Sequence, residues 1–338
     1  MLTPTPPSSA RRNRRFIQPL LAATVATAWM LIGASCATGP AGGTTARPAD
    51  MGEADGVKLQ VFLDSQSFGP GIVDGREGEF TKKALARYNA AHGLAADAFP
   101  NLRSIEPYTT YTISAEDRSK LGSQAGSPAE VALQKSQPYT SLTELLAERF
   151  HTSKAFVAKL NPGKNVDSLP AGESVTVPNV ARPLYVTEIP TTSATARVQN
   201  PALAGRSIRV FLRERMLEVQ EGGQVLAAFP ITPGSSEHPA PAGEWKIVGI
   251  TTFPWYRWDQ GVLQRGERTE DFYNLPPGPN SSVGVVWMGL NRPGVGIHGT
   301  STPETIGRSG SHGCIRLANW DAAVVRQMVT AGSKVVIE

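Results

Sequence analysis

A thiol and two imidazoles stand close together near the C-terminus: His298 in Ile297-His298-Gly299-Thr300, then His312 and Cys314 in Ser311-His312-Gly313-Cys314-Ile315-Arg316-Leu317. A cysteine is only a few per cent thiolate at neutral pH, and an imidazole that takes its proton turns it into a useful nucleophile. Either histidine could do so. Gly313 leaves space for a carbonyl group to approach the backbone, and the amides around 312–314 could hold a tetrahedral oxyanion. This is the equipment of acyl transfer through sulfur. Zinc is the competing reading of the same three side chains. Ligands on either side of one glycine are not a usual zinc spacing and no fourth ligand stands nearby, so neither a metal nor a cofactor is expected. His92, His151 and His238 lie outside any motif and read as surface or packing residues.

The surrounding sequence must fix these groups on a rigid frame. Ile208, Val210 and Leu212 alternate, Leu217 and Val219 follow, and Gly222-Gly223 supplies a turn before Val225–Ile231, which predicts a β-hairpin or meander. Trp245–Ile250 and Val283–Met288 read as further strands. One helix stands out, capped by Asn319, with Ala322, Val325, Met328 and Val329 on one face and Gly332 at its end. Residues 206–338 are therefore expected to form a mostly β domain. Residues 251–280 carry Trp255, Tyr256, Trp258, Phe272 and Tyr273 among glycines and prolines, and are expected to contribute to a lid over the site.

The first 36 residues read as an export signal. Arg11, Arg12, Arg14 and Arg15 precede an apolar run from Leu20 to Ile32 and the small residues Gly33-Ala34-Ser35. That run is too short for the roughly 20 residues of a spanning helix. Those four arginines account for the net charge of +4, so the remainder is neutral and offers no basic nucleic-acid footprint. Cys36 after Gly-Ala-Ser resembles the lipid-accepting cysteine of bacterial lipoproteins; ordinary cleavage near Ala37 is the alternative. Either way Cys314 is the one remaining thiol, and no intramolecular disulfide can form. Such a thiol is expected either to have a chemical use or to be a buried structural residue.

Residues 37–56 are small, polar and rich in glycine and proline, the composition of a flexible tether. Two small modules follow. Over 57–114, Leu59, Phe62 and Leu63 and then Ala84, Leu85, Tyr88 and Ala91 predict two helices around Asp74-Gly75. Over 138–180, the stripes Leu142, Leu145, Leu146, Phe150 and Phe156, Val157, Leu160 predict two helices between short strands. Residues 181–205, with Pro183, Pro190 and Pro201, read as a linker or extended lead-in.

GIHGT followed by SHGCIRL resembles the signature of the L,D-transpeptidase family, also called the YkuD or ErfK/YbiS/YcfS/YnhG domain, and PAPAGEWKI and NLPPGPNSSVGVVWMGL resemble other segments of it. The resemblance implies a β-sandwich with a C-terminal helix over 206–338. It also implies that Cys314 attacks the carbonyl of the L-centre of meso-diaminopimelate in a peptidoglycan tetrapeptide stem and expels D-Ala. His298 is then the general base, the amides of His312, Gly313 and Cys314 hold the oxyanion, and the His312 side chain is a structural or proton-tuning member. The Gly299 carbonyl orients the imidazole, and Arg316 pairs with a substrate carboxylate or, alternatively, forms a structural salt bridge. Thr300, Ser311 and Tyr273 complete the expected substrate-binding set. The thioester would pass to an amine, giving a 3-3 cross-link, an anchored lipoprotein or D-amino acid exchange; hydrolysis of stems and non-catalytic wall anchoring are the rival functions. Residues 57–114 are similar to the peptidoglycan-binding-like domain, a small helical module, and 138–180 to the LysM domain, a small α+β module. Peptidoglycan is thus the expected partner, nucleic acid is not, a membrane tether would run through Cys36, and the periplasm or cell envelope is the expected location.

Overall fold

The computed structural model describes residues 43–338 apart from 49, 193–198, 266, 309 and 311–312. The export signal, Cys36, Ser311 and His312 lie outside the described residues. The N-terminal elements are β1 (Thr44–Thr45), α1 (Glu53–Ser65), α2 (Glu79–Ala91), β2 (Phe99–Pro100), β3 (Tyr108–Thr112), α3 (Ala115–Ser119), α4 (Pro128–Val131), α5 (Leu142–Arg149), α6 (Lys154–Leu160) and β4 (Ser174–Pro178). Then come β5 (Arg206–Phe211), β6 (Met216–Glu221), β7 (Gln224–Pro230), β8 (Gly243–Thr252), β9 (Tyr256–Asp259), α7 (Gln260–Arg265), β10 (Phe272–Leu275), β11 (Val286–Leu290), β12 (Gly296–His298), β13 (Ile315–Arg316), α8 (Asn319–Met328) and β14 (Lys334–Ile337).

Eight strands form one mixed sheet in the order β13-β12-β11-β8-β14-β5-β6-β7. Its meander β5-β6-β7 is the one expected from this stretch, alternating on β5 where Ile208 and Val210 are buried, and it turns at Gly222 (φ +58°) and Gly223 (φ +85°), the two left-handed positions that a tight hairpin matching strand twist requires. The C-terminal strand β14 runs into the middle, parallel to β5 and antiparallel to β8. The edge strand β7 is covered: Gly69 N–H donates to the Ala228 carbonyl at 2.7 Å and Ala228 N–H to the Ser67 carbonyl at 3.0 Å, which removes an open sheet edge. Along β11, Val286, Met288 and Leu290 are buried, while Trp287 and Gly289 take the other face.

Residues 41–338 cluster as one unit, and this changes four expectations. The tether reading holds for none of its described C-terminal part, because Thr44-Thr45 pairs with Phe99-Pro100 and α1 starts at Glu53. Helix α1 does not bury a single stripe: Leu59 and Leu63 pack with Ala84, Tyr88, Met216 and Ala228, whereas Val57 and Val61 join the main core. A helix between two cores is apolar nearly all round. The strand that pairs antiparallel with β4 is β3, at 108–112, upstream of the 138 boundary expected for that module. Within the lead-in 181–205, Leu184, Val186 and Ile189 are buried, and Thr192 exchanges hydrogen bonds with Thr252 at the end of β8 (2.8 and 3.0 Å). Threonine and aliphatic side chains there find sheet partners, so this lead-in is docked.

Helix α8 also starts differently. Its N-cap is Ala318, without a side-chain capping bond. Asn319 is a favoured cap type, but its side chain is engaged elsewhere: Nδ2 donates to Glu148 Oε1 at 2.7 Å, and Oδ1 accepts from the Val285 amide at 3.1 Å.

Candidate active site

The end of the sheet formed by β11, β12 and β13 carries the chemistry. Strands β12 and β13 run parallel, pairing Ile297 with Ile315 and His298 with Arg316, while Trp287 on β11 pairs with His298. Cys314 immediately precedes β13. Gly313 before it has φ +95°, and an added Cβ there would meet only the Pro239 carbonyl at 3.7 Å. Glycine is thus demanded by the backbone turn that presents the thiol more than by lack of space. His298, Cys314 and Arg316 line a single cleft of about 680 Å³ with Trp287, Tyr256, Arg257, Phe253 and Thr192.

His298 is 4% exposed. Its Nδ1 lies 2.7 Å from the Gly299 carbonyl. A carbonyl only accepts, so Nδ1 carries the proton and Nε2 keeps a lone pair, the tautomer a general base needs. The indole of Trp287 stacks on the imidazole, centroids 5.3 Å apart and planes 21° from parallel. Burial lowers the His298 pKa to about 4, the Gly299 carbonyl opposing and Arg316 reinforcing the shift. The resting imidazole is therefore neutral at physiological pH.

Cys314 is half-buried. Its Sγ donates to the Gly294 carbonyl at 3.5 Å. Burial pushes the thiol up from its ordinary value, while the Gly296 amide and Arg316 favour the thiolate. A neutral thiol and a neutral imidazole lining one cleft suit proton transfer concerted with attack, because neither charge has to be stored in the resting site. Arg316 has no carboxylate within 4 Å among the described residues, and its Nη1 reaches the Gly310 carbonyl at 3.4 Å. Among the described residues the salt-bridge alternative for Arg316 therefore finds no partner; the guanidinium lines the cleft with Cys314 and Tyr256.

The other expected residues fall in different places. Gly299 supplies the carbonyl to His298 but is packed beneath the cleft, where an added Cβ would lie 2.1 Å from Asn319 Oδ1. Thr300 is buried, its hydroxyl 3.4 Å from that of Thr302, and it does not line the cleft. Tyr273 is displaced from its expected substrate-binding position: it sits in the β9-β10 ribbon opposite Trp258, ring centroids 6.0 Å apart, away from the cleft lining. The stretch expected to form a lid divides accordingly. Trp255, Tyr256, Arg257 and Asp259 line the cleft, whereas Trp258, Phe272 and Tyr273 do not. Asp259 braces this wall, its carboxyl held at about 2 by the Thr269 amide and hydroxyl, the Val262 amide and Arg257. No group of three or more histidine, cysteine or acidic side chains able to hold a metal ion occurs among the described residues.

Residues 205–337 match the family model described as the L,D-transpeptidase catalytic domain, YkuD. They are a YkuD-family L,D-transpeptidase catalytic domain. YkuD of Bacillus licheniformis, which carries the provisional name L,D-transpeptidase, is 28% identical over 194 residues, 57% of this chain and 92% of that protein. YkuD of Bacillus subtilis, named likewise, is 24% identical over 192 residues, 57% of this chain and 90% of that protein. Among solved structures, an L,D-transpeptidase from Mycobacterium smegmatis aligns with a TM-score of 0.33 at 20% identity, covering 40% of this chain and 58% of its own. The catalytic domain of the Enterococcus faecium L,D-transpeptidase aligns with a TM-score of 0.30 at 23% identity, covering 39% of this chain and 96% of its own. The transpeptidase domain is thus an acyltransferase whose family works through a cysteine nucleophile, and Cys314 is the sole cysteine after position 36.

Two features of the transpeptidase cleft were not read from the sequence. Trp287 was visible only as one member of a strand; its pairing opposite His298 is the signal that marks it. Thr192 reaches the cleft through a lead-in whose folding back is a tertiary matter.

The depressed His298 pKa predicts a stability signature. An unfolded histidine titrates near 6.5, so between about 6.5 and 4 the unfolded chain binds the extra proton and stability falls as pH falls, by roughly 3 kcal/mol in full. Glu148, raised to about 7 chiefly by burial, acts in the opposite sense, its fold losing stability as pH rises from the ordinary carboxylate range. The His298 contribution is isolated by urea unfolding of wild type and His298→Asn at pH 7 and pH 4.5. Wild type is expected to lose about 2 kcal/mol more than the variant. Equal losses would mean that the imidazole is not held neutral.

Proposed function

We propose that this chain is an envelope enzyme that takes the acyl group of a peptidoglycan tetrapeptide stem onto Cys314, releases D-Ala, and passes the acyl group to an amine. The observation that carries this reading is one cleft holding Cys314, a neutral His298 and the cation of Arg316, which has no carboxylate partner among the described residues. His298 Nε2 takes the thiol proton as sulfur attacks the carbonyl and returns it to the departing amine; the acceptor amine then reverses these steps on the thioester. Backbone amides at 313–314 stabilise the oxyanion, and Arg316 pairs with a carboxylate of the stem. The aromatic wall of Trp255, Tyr256 and Trp287 limits water at the thioester, which favours an amine acceptor over hydrolysis.

The remaining parts of the reading concern delivery. The N-terminal 36 residues direct export, with Cys36 as lipid acceptor, and residues 57–180 hold the wall polymer near the cleft and raise its local concentration. The test uses the full chain, since 57–192 pack into the same unit as the catalytic domain. Incubated with tetrapeptide stems and an amine acceptor, it should yield free D-Ala and a cross-linked dimer by mass spectrometry. D-Ala without dimer at high acceptor concentration would make it a hydrolase. Unchanged stems with sacculus binding would make it an anchor.

A further inference from the structure

A carboxylic acid from the N-terminal half lies under the catalytic domain. Glu148, on α5, is 5% exposed. The Tyr139 hydroxyl donates to its Oε2, and Asn319 Nδ2 donates to its Oε1 at 2.7 Å. The charged groups that bear on it most, Glu144 and Glu304, are both acidic and raise its pKa further. Arg149, next in sequence, spends its guanidinium on Asp117 at 2.5 Å. An acid buried with two neutral donors and, among the described residues, no cation paired with it is a costly packing element, and an apolar side chain of similar volume would be cheaper.

What the acid holds is close to the reacting groups. Asn319 accepts the Val285 amide on its Oδ1 (3.1 Å). Gly284 and Gly299 pack so tightly on that same oxygen that a Cβ on either would come to 2.1 Å. The Gly299 amide donates to Val286 at 3.1 Å, and the Gly299 carbonyl receives His298 Nδ1 at 2.7 Å. Asn319 thereby gives up its use as a helix cap. A second set of contacts docks the neighbouring loop: Gln137 Nε2 donates to the Pro276 carbonyl (2.6 Å) and Asn280 Nδ2 to the Pro138 carbonyl (2.7 Å).

We propose that Glu148 is a positioning residue for the transfer reaction: through Asn319 it fixes the Gly284–Val285 and Gly299 backbone, and with it the carbonyl that sets the tautomer of His298. The N-terminal half is then part of the catalytic apparatus as well as a candidate wall binder. This inference rests on His298 acting as the base, and its test has one readout that needs no peptide donor.

The full chain carrying Glu148→Leu, Glu148→Gln or Asn319→Ala is compared with wild type by nitrogen NMR of labelled histidine, with His298→Gln assigning the resonance, and by steady-state kinetics on a tetrapeptide stem. Wild type should show His298 as the neutral Nδ1–H tautomer at pH 7. In Glu148→Leu and Asn319→Ala the resonance should move toward a tautomer mixture and kcat should fall about tenfold or more, with KM changed less than about twofold. Glu148→Gln should stay within about threefold of wild type, because its carbonyl still accepts from Asn319 and its amide can donate to the tyrosine oxygen. Should Glu148→Leu fail to fold, Asn319→Ala carries the same expectation from the other side of the link. A folded Glu148→Leu or Asn319→Ala with the wild-type tautomer and kcat would overturn the proposal, as would Glu148→Gln losing as much as Glu148→Leu. If wild type turned over no stem peptide yet the tautomer shifted in the variants, the reading of the substrate would fail and the positioning role would stand.

Discussion

Cys314→Ala is expected to lose D-Ala release and dimer formation together, by about 10⁴-fold or more, because both pass through one thioester. The loss should not be a folding defect. The thiol is half-buried at the mouth of a cleft, and trimming one atom from such a site costs less than about 1 kcal/mol. Thermal unfolding should therefore stay within a few degrees of wild type. Cys314→Ser should be nearly as inactive, since a hydroxyl is a far weaker acid than a thiol and the site offers a base of low basicity. Retained turnover in either variant would place the nucleophile elsewhere.

For His298→Gln, acylation is expected to slow by about 10²- to 10⁴-fold at neutral pH, the usual worth of a positioned base. Two further results would identify the imidazole as that base. The loss should shrink as pH rises, since solvent hydroxide can then produce the thiolate that the imidazole no longer helps to form. In wild type, the acid limb of kcat/KM should lie near pH 4, because burial holds His298 at about 4, and not near the 6.5 of an ordinary histidine. Acylation rates over pH 4–9 for the two proteins check both. An unchanged acid limb in His298→Gln would assign that titration to another group.

The strands were legible where alternation meets a covered face: Ile208, Val210, Leu217 and Val219 point into the core as expected. The candidate nucleophile and base stood out because cysteine and histidine are scarce in this chain and three of them, His298, His312 and Cys314, fall close together. What escaped the sequence is tertiary. Asn319 looked like a helix cap because local propensity favours that use, yet Glu148, far upstream, offers a buried acceptor that wins its amide. Leu59, Phe62 and Leu63 suggested one apolar stripe on α1, but Val57 and Val61 face a second core, a distinction that periodicity blurs when a helix is enclosed. Tyr273 and Tyr256 lie in similar aromatic surroundings, and only strand pairing in the β9-β10 ribbon sends the second to the cleft and the first away from it. The Pro276–Asn280 run reads from sequence as part of the catalytic domain; its carbonyls and Asn280 also receive the N-terminal half.

The most direct measurement is the intact mass of the full chain after mixing with a tetrapeptide stem or a carbapenem, followed by peptide mapping. An adduct of the mass of the acyl donor, less D-Ala in the case of the stem, should map to Cys314 and be absent from Cys314→Ala. A wild-type chain that binds the donor but gains no mass, or gains it at another residue, would contradict the account of acyl transfer through this sulfur.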